Sequence, residues 1–496
     1  MAINITVEAE SRISKATTAY NDQVRHGYNP NYVNPGTLRI NLQASKLPTN
    51  SRSWEWQVIR RSNKRKFTKT EKALFNVVDI APSVGFNLPS EGTYDCQLIV
   101  TLQGGKQLKS PVKSINLRNY LIVVLGDSAA AGQGNPDTMG KPVEFGDDIS
   151  GWDILNPFAW FDSAKTSISN WLKENFTTLS RAANAKLKMD PAPGWLEKNA
   201  YRSLRSGAAV GALRQEKPRQ GEVITLLHFA RSGSDIQAGL FGPRTKGGKK
   251  IDGWIGNIGQ IEELRRTVGN KRIDALIVSI GVNDVGFTGS LENLVKKDFG
   301  WGNDTKNRKE VLRKIDEKIA GLDANFQKLA QALNAFDIGQ VYISEYPTAI
   351  FDRITNGKVT VSGGCEIFAS NFDMDISPQD AKDLRAAAGR LNQKIKDMAK
   401  KHRWVYVSGI ADEFAGHGYC MDRESFFVTA ELSLATQGDT EGTMHPNGRG
   451  HGVIARQVAR ELRKGLKDAR VKAKKSAPLV GGTISTKVGQ NLQNKP

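Results

Sequence analysis

The feature that most restricts the fold of this 496-residue chain is a series of five short apolar, β-branched runs. They lie at Leu121–Leu125, Val223–Leu227, Ala275–Ile280, Gln340–Ser344 and Val405–Ser408, with helix-period segments such as Arg308–Leu333 and Asp380–Lys400 between them. A strand that is apolar on both faces must be covered on both faces, and helical crossovers between parallel strands supply that cover. The pattern predicts an α/β unit over residues 118–470 with a parallel sheet flanked by helices. Roughly a hundred residues separate the first two runs, too many for a simple crossover, so an insertion is expected near 140–215. It is rich in aromatics over Gly151–Phe176, namely Trp152, Phe158, Trp160, Phe161, Trp171 and Phe176. At mixed helical spacing these suit a packed core; a lid or a lipid-facing surface is the other reading.

Residues 1–117 have a different texture. Alternating runs such as Thr37–Leu42, Trp54–Ile59 and Tyr94–Val100 are separated by turn-rich stretches, which predicts a small β-sandwich with an accessory role, binding glycan or protein. Glu91–Cys96 resembles the late strand of Ig-like or PKD-like domains, yet no cysteine lies upstream to form an Ig-type disulfide. After Arg470 the chain turns Lys-, Gly- and Gln-rich, and residues 471–496 read as a basic, mobile tail.

Lys and Arg number 70 against 51 Asp and Glu, a net charge of +19. Such an excess favours anionic partners such as an acidic lipid surface, and no nucleic-acid recognition motif accompanies it. No run of about 18 apolar residues is present, so no transmembrane helix is expected. The start, Met1–Ile5, lacks a basic region followed by an apolar core. That fits a protein that stays inside, is exported by a non-Sec route, or has lost its leader. Three cysteines, Cys96, Cys365 and Cys420, are too few for a disulfide scaffold and lack metal-site spacing.

The chemistry concentrates at four places. Tyr120–Leu125 runs directly into Gly126-Asp127-Ser128 and the small residues Ala129–Gly134. Functional groups collect at the carboxyl ends of strands in an open parallel sheet, so Ser128 would stand at the active edge. Its small neighbours let a carbonyl approach, and its backbone amide, near a helix start, can donate to an oxyanion. Taken alone, Asp127-Ser128 would equally be a helix cap. Ala230–Asp235 follows the second run, with the Gly233 amide open to a ligand; Ile280–Asp284 follows the third, with Asn283 able to face a developing negative charge; and Met444–Gly448 precedes a helix and supplies His445 as a base. Asn283-Asp284 also suits a plain turn. His451, inside the helix that follows, is better placed to pack or cap it.

Gly-Asp-Ser, Gly, Gly-x-Asn-Asp and His-Pro-Asn, in that order and after those elements, resemble the four blocks of the SGNH (GDSL-like) serine hydrolases, over roughly Asn119–Leu466. The resemblance implies a three-layer, flavodoxin-like fold. It implies that Ser128 is the nucleophile and His445 its base, and that Ser128, Gly233 and Asn283 form the oxyanion hole. Acyl transfer through such a set requires no metal and no cofactor.

One position departs from the family. Asp normally stands three residues before the histidine, where this chain has Gly442; Asp439 and Glu441 are close but out of register. Asn199–Ser203 and Phe414–Cys420 resemble a secreted bacterial branch, some of whose members use a Ser-His dyad oriented by a backbone carbonyl. In that branch cysteines often pair, which implies a Cys365–Cys420 disulfide; His417 is expected to be structural. The expected activity is carboxylic ester hydrolysis (esterase or lipase), with lipid or short acyl esters favoured by the aromatic insertion and basic surface. The alternatives are a carbohydrate deacetylase of the same fold, or a binding or adhesion protein in which the hydrolase is secondary.

Overall fold

The computed structural model describes residues 3–21, 27–45, 47–72, 82–143, 157–176, 184–246, 249–250, 258–286, 305–361 and 376–476. Five parallel strands form the centre of the molecule: β1 (Lys113–Gly126), β2 (Glu222–His228), β3 (Ala275–Ser279), β4 (Val341–Ser344) and β5 (Val405–Val407). Their lateral order is β2-β1-β3-β4-β5, all pairs parallel. From β1 the chain steps one way to β2 and then back past β1 to β3, β4 and β5. Right-handed crossovers in opposite directions place their helices on opposite faces of the sheet. Accordingly α1 (Gly207–Leu213) packs on α5 (Gly448–Ser476), while α3 (Thr305–Leu333) packs on α4 (Pro378–Lys401). The strand order reverses at β1, so the carboxyl end of β1 is the switch point, where sheets of this kind bind ligands.

β1 is two strands in one. Over Lys113–Leu117 its residues alternate between exposed and buried, and it pairs antiparallel with Gly92–Leu102. From Tyr120 to Gly126 every residue is buried, and the strand pairs parallel with β2 and β3. The expected domain boundary at 117/118 therefore falls inside a continuous strand. Upstream, Ile5–Ala9, Leu38–Ala44 and Ser83–Leu88 form a three-stranded antiparallel sheet. Ser51–Arg60, Lys66–Lys72, Gly92–Leu102 and Gln107–Lys109 extend the main sheet antiparallel beyond β1. Ile40, Leu42, Trp56, Val58, Leu98 and Leu117 belong to the apolar cluster these strands share.

The segment between the first two strands of that region does not stay with it. Ala16, Ala19, Tyr20, Tyr28, Tyr32 and Val33 join the core of the parallel sheet. Tyr28 and Tyr32 lie along the outer edge of β2. The Tyr32 hydroxyl accepts from Leu226 N (3.0 Å) and lies 3.2 Å from Leu226 O, and the Tyr28 hydroxyl does the same with His228 N (2.6 Å) and O (3.1 Å). Two phenol groups thus satisfy an edge whose main-chain groups would otherwise be buried unpaired.

In the insertion, a helix covers Pro157–Asn175 and packs on the helix Ala430–Gln437. Ile168 and Leu172 are fully buried, and Trp171 meets Phe176 edge to face at 5.3 Å between ring centroids. Trp152 and the side chains of Phe158, Trp160 and Phe161 lie outside the description. α5 runs past Arg470 to Ser476, and residues 477–496 lie outside the described set. Cys96 is free and buried; Cys420 is disulfide-bonded, and its expected partner Cys365 lies outside the described residues. No described helix is long and apolar enough to cross a membrane.

Candidate active site

Gly126 ends β1 with φ +139°, and a side chain there would collide with the Ser279 carbonyl of β3. That close approach lets the chain turn sharply, with Asp127 N donating to Ser279 O at 3.0 Å. Asp127 then caps the short helix Ser128–Ala131, its Oδ1 accepting from Ala129 N at 3.0 Å, while Tyr346, just after β4, donates to its other oxygen. Burial pushes the Asp127 carboxyl up to about 7, against the opposing pull of the Tyr346 hydroxyl. Ser128 is thereby set at the first position of a helix. Its amide and its hydroxyl have no acceptor or partner among the described residues, and it is 9% exposed.

Three further loops gather around it. After β2, Arg231 N donates to Gly126 O at 3.0 Å, and Gly233 takes a left-handed φ of +71°. The Gly233 amide also finds no acceptor among the described residues. After β3, Asn283 Nδ2 donates to Ser234 O at 2.9 Å, leaving its second amide hydrogen available, and Ile236 N donates to Asp284 at 3.2 Å. Asp284 itself is pushed up to about 6, chiefly by burial and then by Asp235.

The fourth loop carries His445. Gly134, at φ +86°, lies against it so closely that a Cβ there would sit 3.3 Å from His445 Cβ. Val428 holds the loop from both sides, donating to His445 O (2.9 Å) and accepting from Met444 N (2.9 Å), with Met444 in the left-handed region at φ +64°. His445 Nδ1 lies 3.2 Å from Thr443 O. A carbonyl can only accept, so Nδ1 carries the proton and Nε2 is left as a basic acceptor. Desolvation lowers this half-buried imidazole to about 4. No Ser128–His445 hydrogen bond forms in this conformation, and catalytic contacts commonly tighten only once substrate is bound.

Neither nearby carboxylate reaches His445. Asp439 accepts from Tyr201 Oη (2.7 Å), Gln437 Nε2 (2.6 Å) and Glu441 N (3.1 Å). Glu441 is exposed and contributes its backbone carbonyl, which accepts from Gln133. His451 is buried in α5, with Nδ1 accepting from Gly207 N at 3.0 Å. His417 stacks on Phe426 at 4.0 Å and bonds Glu424 O at 2.9 Å, a structural arrangement.

Two glutamines that the sequence did not single out join the loops. Gln133 takes a bond from Ser232 Oγ and gives one to Glu441 O, linking the Gly233 loop to the histidine loop. Gln260, at the start of α2 (Gln260–Val268), pairs with both main-chain groups of Gly126 (2.9 and 2.8 Å) and donates to Ser234 Oγ (3.1 Å). Beneath them the Arg231–Glu263 ion pair and Arg202, which donates to Phe229 O (3.0 Å) and Ala230 O (3.1 Å), fix the loop after β2. A glutamine beside a loop reads in sequence as an ordinary polar residue, and the partners lie as far as 308 residues away for Gln133 and 134 for Gln260.

No family model and no curated protein sequence matches the chain. Among solved structures, the extracellular lipase from Streptomyces rimosus is 16% identical, with a TM-score of 0.41 over 69% of this chain and 99% of that one. A phospholipase A1 from Streptomyces albidoflavus is 15% identical, with a TM-score of 0.39 over 69% and 98%. A polysaccharide deacetylase from Bacillus cereus is 10% identical, with a TM-score of 0.17 over 77% and 100%. Likenesses this distant carry no argument about chemistry; the class defined by fold and loops is a mixed α/β protein with a central, mostly parallel sheet.

Proposed function

We propose that this chain is a serine carboxylic ester hydrolase of the SGNH kind. The observation that carries the reading is the pairing of two groups: a Ser128 hydroxyl with no partner among the described residues, at the switch point, and a neighbouring histidine loop whose Nδ1 proton is committed to Thr443 O. The proposed course is acyl transfer. His445 Nε2 removes the Ser128 hydroxyl proton as Oγ attacks the acyl carbon, and returns it to the departing alcohol. Water, deprotonated by the same nitrogen, then attacks the acyl-enzyme and releases the acid. The Ser128 and Gly233 amides and the second Asn283 hydrogen would receive the oxyanion, three donors held before charge develops.

Lipid or short acyl esters are the proposed substrates, on the strength of the aromatic insertion and the net charge of +19. The test is an ester panel of rising acyl length, phospholipids and sugar acetates included, run on wild type and Ser128→Ala beside fluorophosphonate labelling. Label on Ser128, with hydrolysis abolished in Ser128→Ala, is the expected result. Label on another serine with activity retained would overturn it.

A further inference from the structure

We propose that the crevice between the N-terminal strands and the parallel sheet is a binding site for a phosphate group. A cavity of about 260 Å³ lies there, on the side of the start of β2 rather than the carboxyl-end loops that carry Ser128, and its walls include Glu10, Arg12, Lys15, Arg39, Leu117 and Val223. Three cations against one carboxylate leave a formal charge of +2 in one small space, the charge a phosphate dianion would neutralise.

Arg12 is the telling residue. It is only 5% exposed, and buried arginines are ordinarily paired with a carboxylate. Arg12 has no such ion pair among the described residues. One terminal nitrogen donates to Tyr32 O (2.5 Å), the guanidinium lies over the Tyr32 ring at 4.9 Å, and Nε has no acceptor. The neighbouring Glu216 does not supply one. Its carboxylate is taken by Arg12's own amide (2.9 Å), the Ser11 hydroxyl (2.5 Å) and Ile224 N (3.2 Å). Lys15 and Arg39 both lean on the single Glu10, Arg39 at 3.8 Å. A buried donor without an acceptor is costly, and a planar guanidinium flanked by two further cations is the arrangement that holds phosphate oxygens.

The volume falls just under the usual range for drug-sized ligands, about 300–1,000 Å³, so a phosphate with a short organic remainder fits. Glu10 and Arg39 belong to the N-terminal region whereas Leu117 and Val223 belong to β1 and β2, so an occupied site bridges the two and should stabilise the whole chain. The phosphate could be carried by a soluble metabolite or by a phospholipid headgroup.

The experiment uses the full chain as wild type, Arg12→Gln, and the double variant Lys15→Gln/Arg39→Gln, whose wild-type side chains are half exposed. Thermal midpoint and calorimetric titration are followed with inorganic phosphate and glycerol 3-phosphate against chloride at matched ionic strength, and flotation with phosphatidic acid vesicles. A saturable response to phosphate or to vesicles, weakened at least about tenfold in both variants, is expected. Loss of flotation in the variants assigns the headgroup as source, and a response to the soluble probes alone assigns a metabolite. No saturable response to any probe, or one preserved in the double variant, overturns the proposal.

Discussion

His445 turns Nδ1 to the carbonyl of Thr443, two residues back in its own loop and 3.2 Å away. A carbonyl fixes the tautomer as a carboxylate would, but brings no full charge to stabilise the imidazolium that forms during proton transfer. Much of what an aspartate does for such a histidine is orientation, so the dyad should retain most of the rate. Glu441→Ala and Asp439→Asn should each keep kcat/KM within about tenfold, roughly 1.4 kcal/mol of barrier. His445→Ala should lose about 10⁴ or more. A loss of that size in either acidic variant, with unfolding curves unchanged, would mean that a carboxylate swings in to complete a triad.

As the proposed base, the same imidazole should set the pH dependence. A base must be unprotonated, and desolvation holds His445 at about 4. Initial rates of kcat/KM on a soluble ester should stay flat as pH falls through 6.5 and drop tenfold per unit only below about 4. An acid limb centred near 6.5 would show a solvated histidine instead.

Asn283 carries two separable duties. Its bond to Ser234 O ties the second and third loops, worth about 1 kcal/mol in stability. Its remaining hydrogen is the proposed oxyanion donor, worth about 10²–10³ in kcat. Asn283→Ala should therefore show a small stability loss beside a large kcat loss with KM little changed. A stability loss alone would leave it as a turn residue.

The parallel strands were legible because most are buried on both faces and read as short apolar runs; β2 is buried from Glu222 to His228, and the edge strand β5 is partly exposed. Three of the loops were legible because they follow such runs directly, and the fourth because His445 stands just before a helix. What could not be read is pairing at a distance. Tyr28 and Tyr32 sit among alternating residues of an apparently separate region, and nothing local reveals that their hydroxyls serve a strand nearly 200 positions on. Nor does an alternating stretch at Lys113–Leu117 betray that it continues, without a break, into the strand carrying the nucleophile loop.

Those tyrosines change what truncation should do. A separate β-sandwich over residues 1–117 would leave residues 118–470 able to fold and work alone. The structure removes from that fragment the phenols on the β2 edge and the apolar side chains of 16–33 that complete the core. The fragment should be insoluble or unfolded. In the full chain, Tyr28→Phe and Tyr32→Phe should each cost about 1–3 kcal/mol in urea unfolding, since each strands a buried N–H and C=O. A soluble fragment with wild-type turnover would show that the edge tolerates exposure.

Asp127 offers a test with a definite sign. Its folded-state carboxyl stands at about 7, above the ordinary 3.8, because burial disfavours the charge. A raised acid contributes stability that is fully present below about 3.8 and is lost as pH rises through about 7. Asparagine at this position keeps an oxygen for Ala129 N and can donate to the Tyr346 hydroxyl, but has no proton to lose. The stability of Asp127→Asn relative to wild type should therefore climb between about pH 4 and 7, by up to about 1.4 kcal/mol per pH unit, and level off above. Asp127→Ala, which strands both Ala129 N and the Tyr346 hydroxyl, should follow the same pH dependence but lie about 1–3 kcal/mol below Asp127→Asn at every pH. Denaturant curves at pH 4, 5.5, 7 and 8 separate the two variants. A difference between Asp127→Asn and wild type that does not change with pH would mean that the carboxyl stays ionised in the folded protein, its charge carried by Tyr346 and the helix start.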